Sequence, residues 1–208
     1  MSNPTSSPSS LIQAHAQVLH FPKGGKPSLA PNEWLVWSGS QDEGGLPDLE
    51  HGPSKLNKVL VPFSWWRSNI NSHHHEADLI AKAKNGQIGV WFATDDDILK
   101  YAEIIEAGKQ YWPLVAAYFP LFRDGRSFST AALLRDRLSW DKEIRMIGDV
   151  LIDQLLQGAR VGFDSFALRQ DQDLDVALKQ FDLFSVSTQN SWRGKRTLLQ
   201  SNEALGQQ

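Results

Sequence analysis

Cysteine is absent from this chain. That excludes disulfides, thiol redox cycling, thiolate catalysis and all-cysteine iron-sulfur ligation within it, so any redox role needs a borrowed cofactor. No apolar run reaches about 18 residues, and no charged stretch followed by an apolar one opens the chain. Neither a spanning helix nor a signal peptide is expected, and the cytoplasm is the expected compartment. A strong charge bias is missing too: the net charge is -3, with 22% charged and 41% hydrophobic residues. Such a balance provides no global attraction to nucleic acid or to an anionic membrane. Also missing are GxGxxG, GxxxxGKS/T, GxSxG and HExxH, the usual signatures of dinucleotide binding, nucleotide binding, serine hydrolysis and zinc proteolysis.

The 208 residues favour one globular unit with tails. Residues 1–10 (MSNPTSSPSS) are too polar to bury much surface and read as a disordered tail. Residues 11–57 form an N-terminal extension, holding a short edge strand or hairpin at EWLVW and a loose segment, Ser38 to Lys55, rich in Gly, Pro and acids. Trp34 and Trp37 are expected to cover core. Residues 191–208 read as a C-terminal tail.

From residue 58 to 190, short β-branched or aromatic runs alternate with segments of helical period. Strands are expected at Val59 to Trp65, Ile88 to Thr94, Leu114 to Pro120, Glu143 to Gly148 and Phe163 to Arg169, with a weaker one at Phe184 to Thr188. Helices are expected at Glu76 to Lys84, Ile98 to Lys109, Ser129 to Leu138, Val150 to Arg160 and Asp173 to Gln180. Asp97 is placed to cap a helix, Gly86, Gly108 and Gly162 to end helices, and Arg135 and Arg137 to face water. The fold class is therefore α/β, a mainly parallel sheet of βα repeats. A partial (β/α) barrel and a doubly wound sheet both fit.

In either architecture the loops after the strand C-termini share one face, where ligands commonly bind. Four polar loops fall there: Asp95-Asp96-Asp97, Asp124-Gly125-Arg126, Gly148-Asp149 and Arg169-Gln170-Asp171. Arg126 offers a planar fork of donors, and Ser127, Ser129 or Thr130 could add hydroxyl or amide donors to make an anion pocket. Gly125 would admit a close approach or a positive φ. An ion pair of Arg126 with Asp124 or Asp149, fastening the loops, is the alternative. Asp149 and Asp153 share one helical side, with Gln154 beside them. They could hold a divalent cation or position a proton, or Asp149 could be an N-terminal cap. The consecutive acids at Asp95 to Asp97 favour capping over metal binding, and His73-His74-His75 favours an exposed helix entry.

The segments FPLFRDGRSFSTAALLRDR, EIRMIGDVLIDQ and VGFDSFALRQDQDL, in this order and spacing, resemble a bacterial family of unknown function associated with an oxidoreductase role in sulfite reduction. The resemblance spans roughly Val59 to Gln189. Its pattern carries over to Asp124, Gly125, Arg126, Ser129, Leu134, Arg135, Gly148, Asp149, Asp153, Gln154, Gly162, Phe163 and Asp164. The chain departs from it in a longer N-terminal region and in Ile147. The resemblance implies a place in assimilatory sulfate reduction, with sulfite reductase, its electron donor or a small oxyanion as partner, and supplies no established catalytic set or cofactor. Two functions are thus expected in competition. One is an accessory protein docking through the Arg126 rim. The other is a small enzyme with Arg126 as anion clamp and Asp149 as acid or base, borrowing flavin or nicotinamide if it is redox-active. A homo-oligomer is compatible with both.

Overall fold

A computed structural model describes residues 11–12, 14–39, 58–70, 76–184 and 189–194. The elements run β1 (Leu11–Ile12), β2 (Gln17–His20), β3 (Ser28–Pro31), β4 (Trp34–Trp37), β5 (Lys58–Pro62), α1 (Phe63–Ile70), α2 (Glu76–Lys84), β6 (Ile88–Phe92), α3 (Ala102–Gly108), β7 (Leu114–Phe119), α4 (Arg126–Asp136), β8 (Glu143–Gly148), α5 (Leu155–Val161), β9 (Ser165–Phe166) and α6 (Leu174–Lys179). One 3-10 turn, Ile152–Gln154, leads into α5.

The strands form one sheet of nine in the order β1-β4-β5-β6-β7-β8-β9-β2-β3. From β4 to β9 every neighbour is parallel and consecutive in the chain. A doubly wound sheet reverses its order partway. This one does not, so right-handed crossovers send the intervening helices to a single face, and the sheet curls into a half-barrel. The curl has an independent measure. β3 and β4 lie seven strand spacings apart, about 34 Å in a flat sheet. Only Asn32 and Glu33 separate Pro31 from Trp34, and three extended residue steps reach about 11 Å. The two ends of the sheet must therefore approach each other where this short strap crosses.

Each strand of the parallel core is buried on both faces, so its side chains divide by alternation. Val59, Val61, Val90, Phe92, Val115, Ala117, Ile144 and Met146 point outward and pack with helix residues such as Trp66, Ile105, Leu134 and Leu155. Trp34, Val36, Leu60, Trp91, Leu114, Ala116 and Ile147 point inward and fill the concave side. Trp34 and Trp37 are both buried, as their composition implies.

Several expected boundaries move. β5 stops at Pro62, and Phe63 begins α1 where the local run reads as strand through Trp65. Phe63, Trp66 and Ile70 are the buried positions of α1, a helical spacing hidden by β-prone aromatics. The segment around EWLVW is not an edge: β1 pairs outside β4. β9 shrinks to Ser165–Phe166, and α4 starts at Arg126, three residues before the expected Ser129. Gly86 (φ +76) and Gly162 (φ +121) terminate α2 and α5 as expected, and Gly108 closes α3 as its last residue, without a positive φ. His73 to His75, residues 185–188 of the weak last strand and residues 1–10 lie outside the described residues.

Arg135 corrects the expected amphipathic pattern of α4. It is buried rather than solvent-facing, with its side chain 4% exposed. It donates to the carbonyl oxygens of Gly162, Trp140 and Lys142 and to the Asp164 carboxylate. Asp164 in turn accepts from the Ile144 amide at 3.1 Å. Burial pushes the Asp164 carboxyl up and the Arg135 guanidinium down, and each partner works against that by holding the other charged. The pair locks α4 to the loops around β8 and β9. At the far end of the described chain, Arg193 donates to the carbonyls of Ala159, Phe21 and Phe163, so residues 191–194 pack on the same body. No helix among the described residues is long and apolar enough to cross a membrane.

Candidate functional site

The parallel strands β6 to β9 deliver the polar loops to one rim, where a single side chain organises them. Gly148, the last residue of β8, adopts φ +98, a conformation costly for any residue with a Cβ. This turn brings the Asp149 amide to the Phe119 carbonyl at 2.7 Å. The Asp149 carboxylate then reaches back to the neighbouring loop: Oδ2 accepts from the Phe122 amide at 2.8 Å, and Oδ1 from Arg169 Nη1 at 2.7 Å. Asp149 is thus no helix cap. The 3-10 turn before α5 is preceded by Leu151, and its amide is satisfied by Gln154 Oε1 at 2.9 Å.

Gln154 completes the arrangement from below. Its Nε2 donates to the Phe122 carbonyl at 2.6 Å, so both main-chain polar groups of Phe122 are held by side chains of the β8–α5 connection. Phe122 is nonetheless 51% exposed, with Leu121 equally open. Leu99, in the loop after β6, is 52% exposed. Asp153 is exposed.

Arg126 and Asp149 share the rim of adjacent strands but are not partners. Arg126, the first residue of α4, spends its fork on Asp124, with Nε to Oδ1 at 2.9 Å and Nη2 to Oδ2 at 2.7 Å. This bidentate bond holds the Asp124 carboxyl below its usual range. It also offsets the unfavourable placement of a cation at a helix N-terminus. Asp124 occupies the Nε–Nη2 edge of the guanidinium, which leaves a small anion only the exposed Nη1 side of Arg126. Gly125 supplies neither expected reason for a glycine: its φ is -83, and a Cβ there would meet Phe128 at an ordinary 3.6 Å. Ser129 is exposed one turn further on, while Ser127 is buried and donates to the Tyr118 carbonyl at 2.6 Å.

Arg169 bridges two acids, with Nε and Nη2 on Asp171 at 2.7 and 2.8 Å and Nη1 on Asp149. Hydrogen bonds from Arg169 and Gln172 hold the Asp171 carboxyl down at about 2. A carboxyl near 3.9 in the unfolded chain and near 2 in the fold contributes its full stabilisation above the higher value and loses it as pH falls through the lower one. Carbon-detected NMR of the carboxyl should therefore show Asp171 titrating near pH 2, returning toward about 3.9 in Arg169→Gln. An unshifted carboxyl in the unsubstituted protein would mean the bridge does not persist in solution.

Asp96 and Asp97 bind main-chain amides, but the helix expected to start at Ile98 begins only at Ala102, with Tyr101 at its N-cap, so Asp97 caps the turn before α3 and not the helix itself. Asp96 Oδ2 accepts from the Ala93 amide at 2.8 Å, and Asp97 Oδ1 from the amides of Leu99 and Lys100. Among the described residues no group of three His, Asp or Glu side chains is arranged to hold a metal ion.

Leu121 and Phe122 escape sequence reasoning because they end the run LVAAYFPLF and read as core. A second missed group lies at the opposite end of the half-barrel: Glu143 and Arg145, on alternate positions of β8, face inward toward Ser165 and His20. Their polar alternation in EIRMIG is the signal that could have marked them.

Fold and rim together define an α/β protein built as a mixed, mostly parallel half-barrel, with an ion-paired, apolar-tipped loop surface at the strand C-termini. Residues 89–199, over half of the chain, match the model of the family described as bacterial protein of unknown function (DUF934), and the chain belongs to that family. No curated protein and no solved structure matches it.

Proposed function

We propose that the protein is an accessory component of sulfite reduction that docks onto the reductase or its electron donor through the rim around Leu121 and Phe122. The observation that carries this reading is the clamped Phe122 backbone. Asp149 and Gln154 fix its amide and carbonyl at 2.8 and 2.6 Å while the residue remains 51% exposed. A large apolar side chain held rigidly in water gains nothing for the fold. It gains when a partner covers it, and its ordering cost has already been met. The surrounding charges are matched within the rim as Arg126 with Asp124 and Arg169 with Asp149 and Asp171, an arrangement better suited to orienting a partner than to capturing a free anion.

Sulfite reduction comes from the motif resemblance, whose segments include this rim. The missing cysteines are consistent with electrons being carried by the partner, since no thiolate is present to ligate a cluster. Biolayer interferometry with the reductase and its electron donor from the same bacterium tests the proposal. Phe122→Ala is expected to weaken binding by about 30-fold, the effect of losing a central aromatic anchor, with melting unchanged. Absence of binding to either protein, together with normal growth of a deletion strain on sulfate, rejects it.

A further inference from the structure

At the end of the half-barrel where the parallel strands begin, the inward side chains change from apolar to charged. The ladder registers put Arg145 and His20 each opposite Ser165, and Lys58 opposite Trp34. Arg145, its side chain 4% exposed, donates to Glu143 Oε1 at 3.0 and 2.7 Å and to Ser165 Oγ at 3.0 Å. The Ser165 hydroxyl donates to the same Glu143 oxygen. All three bonds to the Glu143 carboxylate fall on Oε1, and Oε2 accepts none from the described residues. Arg145 Nη1 makes only a long 3.4 Å contact with Asn32 in the strap between β3 and β4.

The His20 side chain forms no hydrogen bond with a described residue. Burial pushes its pKa below the ordinary histidine value, against the pull of Glu143. The imidazole is therefore neutral near pH 7 and offers one donor and one bare acceptor nitrogen. Burial would raise the Glu143 carboxyl, but Arg145 and Ser165 more than offset it and keep the group ionised.

A cavity of about 380 Å³ opens on these groups, lined by His20, Glu33, Trp34, Lys58, Glu143 and Arg145 among others. Its lining carries two cations, Lys58 and Arg145, against two carboxylates, Glu33 and Glu143, paired as Lys58 Nζ with Glu33 Oε2 at 2.6 Å and Arg145 with Glu143; the half-exposed Lys58 ammonium keeps further donors for a ligand. A simple anion entering it meets both acids, and a simple cation meets both bases. A ligand carrying one charge of each sign matches both, and the volume suits a small molecule.

We propose that this cavity binds a small zwitterion of the α-amino-acid class, its ammonium on Glu143 Oε2 and His20 and its carboxylate toward Lys58 and Arg145. The site is separate from the docking rim and does not depend on it. Titration calorimetry of the full chain with a panel of free L-amino acids, with acetate and methylamine as single-charge probes, provides the test. At least one amino acid should bind with a Kd below about 1 mM while the single-charge probes do not. His20→Ala and Lys58→Met should each weaken that binding about tenfold or more. Neither residue is fully buried, so both variants should melt like the unsubstituted protein. No binding across the panel, binding of acetate or methylamine alone, or equal binding by both variants overturns the proposal and leaves these charges as a structural floor of the half-barrel.

Discussion

Replacing Gly148 by alanine is expected to lower stability by about 3 kcal/mol or more, a fall in Tm of roughly 6–12 °C for a chain of this size. Two costs add. At φ +98 the backbone sits where an L side chain is strained. The added Cβ would also lie 2.3 Å from the Phe119 carbonyl oxygen and 2.7 Å from the Tyr118 ring, neither of which can retreat from a central strand. Gly125→Ala is the matched control. Its φ of -83 and open surroundings predict a change within about 0.5 kcal/mol. Urea unfolding of the two variants reads the difference directly, and comparable stabilities would remove Gly148 as the hinge of the rim. Because Asp149 follows Gly148, the alanine variant should also lose partner binding beyond what its lower stability explains.

Arg135→Met is expected to cost about 3–5 kcal/mol, because it strands the Asp164 carboxylate and three carbonyl oxygens in a half-barrel edge that water reaches poorly. Arg135→Lys should fail nearly as badly: one ammonium cannot span carbonyls lying in two directions, as the planar fork does. Arg135→Met combined with Asp164→Asn should recover part of the loss, since the stranded charge is then gone. Arg137→Met, two positions along and exposed, should be near neutral. A loss of under about 1 kcal/mol in Arg135→Met would show that the buried network is dispensable.

The elements themselves were largely legible in the sequence. β8 at Glu143–Gly148 and α2 at Glu76–Lys84 stand at the expected bounds, and β6 and β7 lie within one or two residues of them. Strong period and β-branched or aromatic content carry that information locally. α1 was not legible, because Phe63, Trp65 and Trp66 favour strand until the turn after Pro62 gives them helical neighbours. Arg135 read as solvent-facing because a charged residue in a helix ordinarily is, and only the carbonyls of distant loops make its burial affordable.

The candidate site divides along the same line. Alternating strands and helices required the polar loops to share a rim, and Asp124, Arg126, Asp149, Gln154 and Arg169 are found there. The local Arg126–Asp124 pair was one of the alternatives the sequence offered, but the long-range partners were beyond it. Asp149 takes the Phe122 amide, 27 residues away, and Arg169, 20 away, in place of Arg126. Arg126 closes on Asp124, two residues away. Strand propensity, helical period and the lack of cysteine are properties of short stretches or of composition, so the amino-acid order alone determined the α/β class and excluded thiolate chemistry. Partner choice depends on distances across the curled sheet. Only the tertiary structure decided that the sheet curls rather than reverses, that Phe122 faces water, and that His20, Asn32, Glu143 and Arg145 gather at one mouth, with Asn32 and Arg145 113 residues apart.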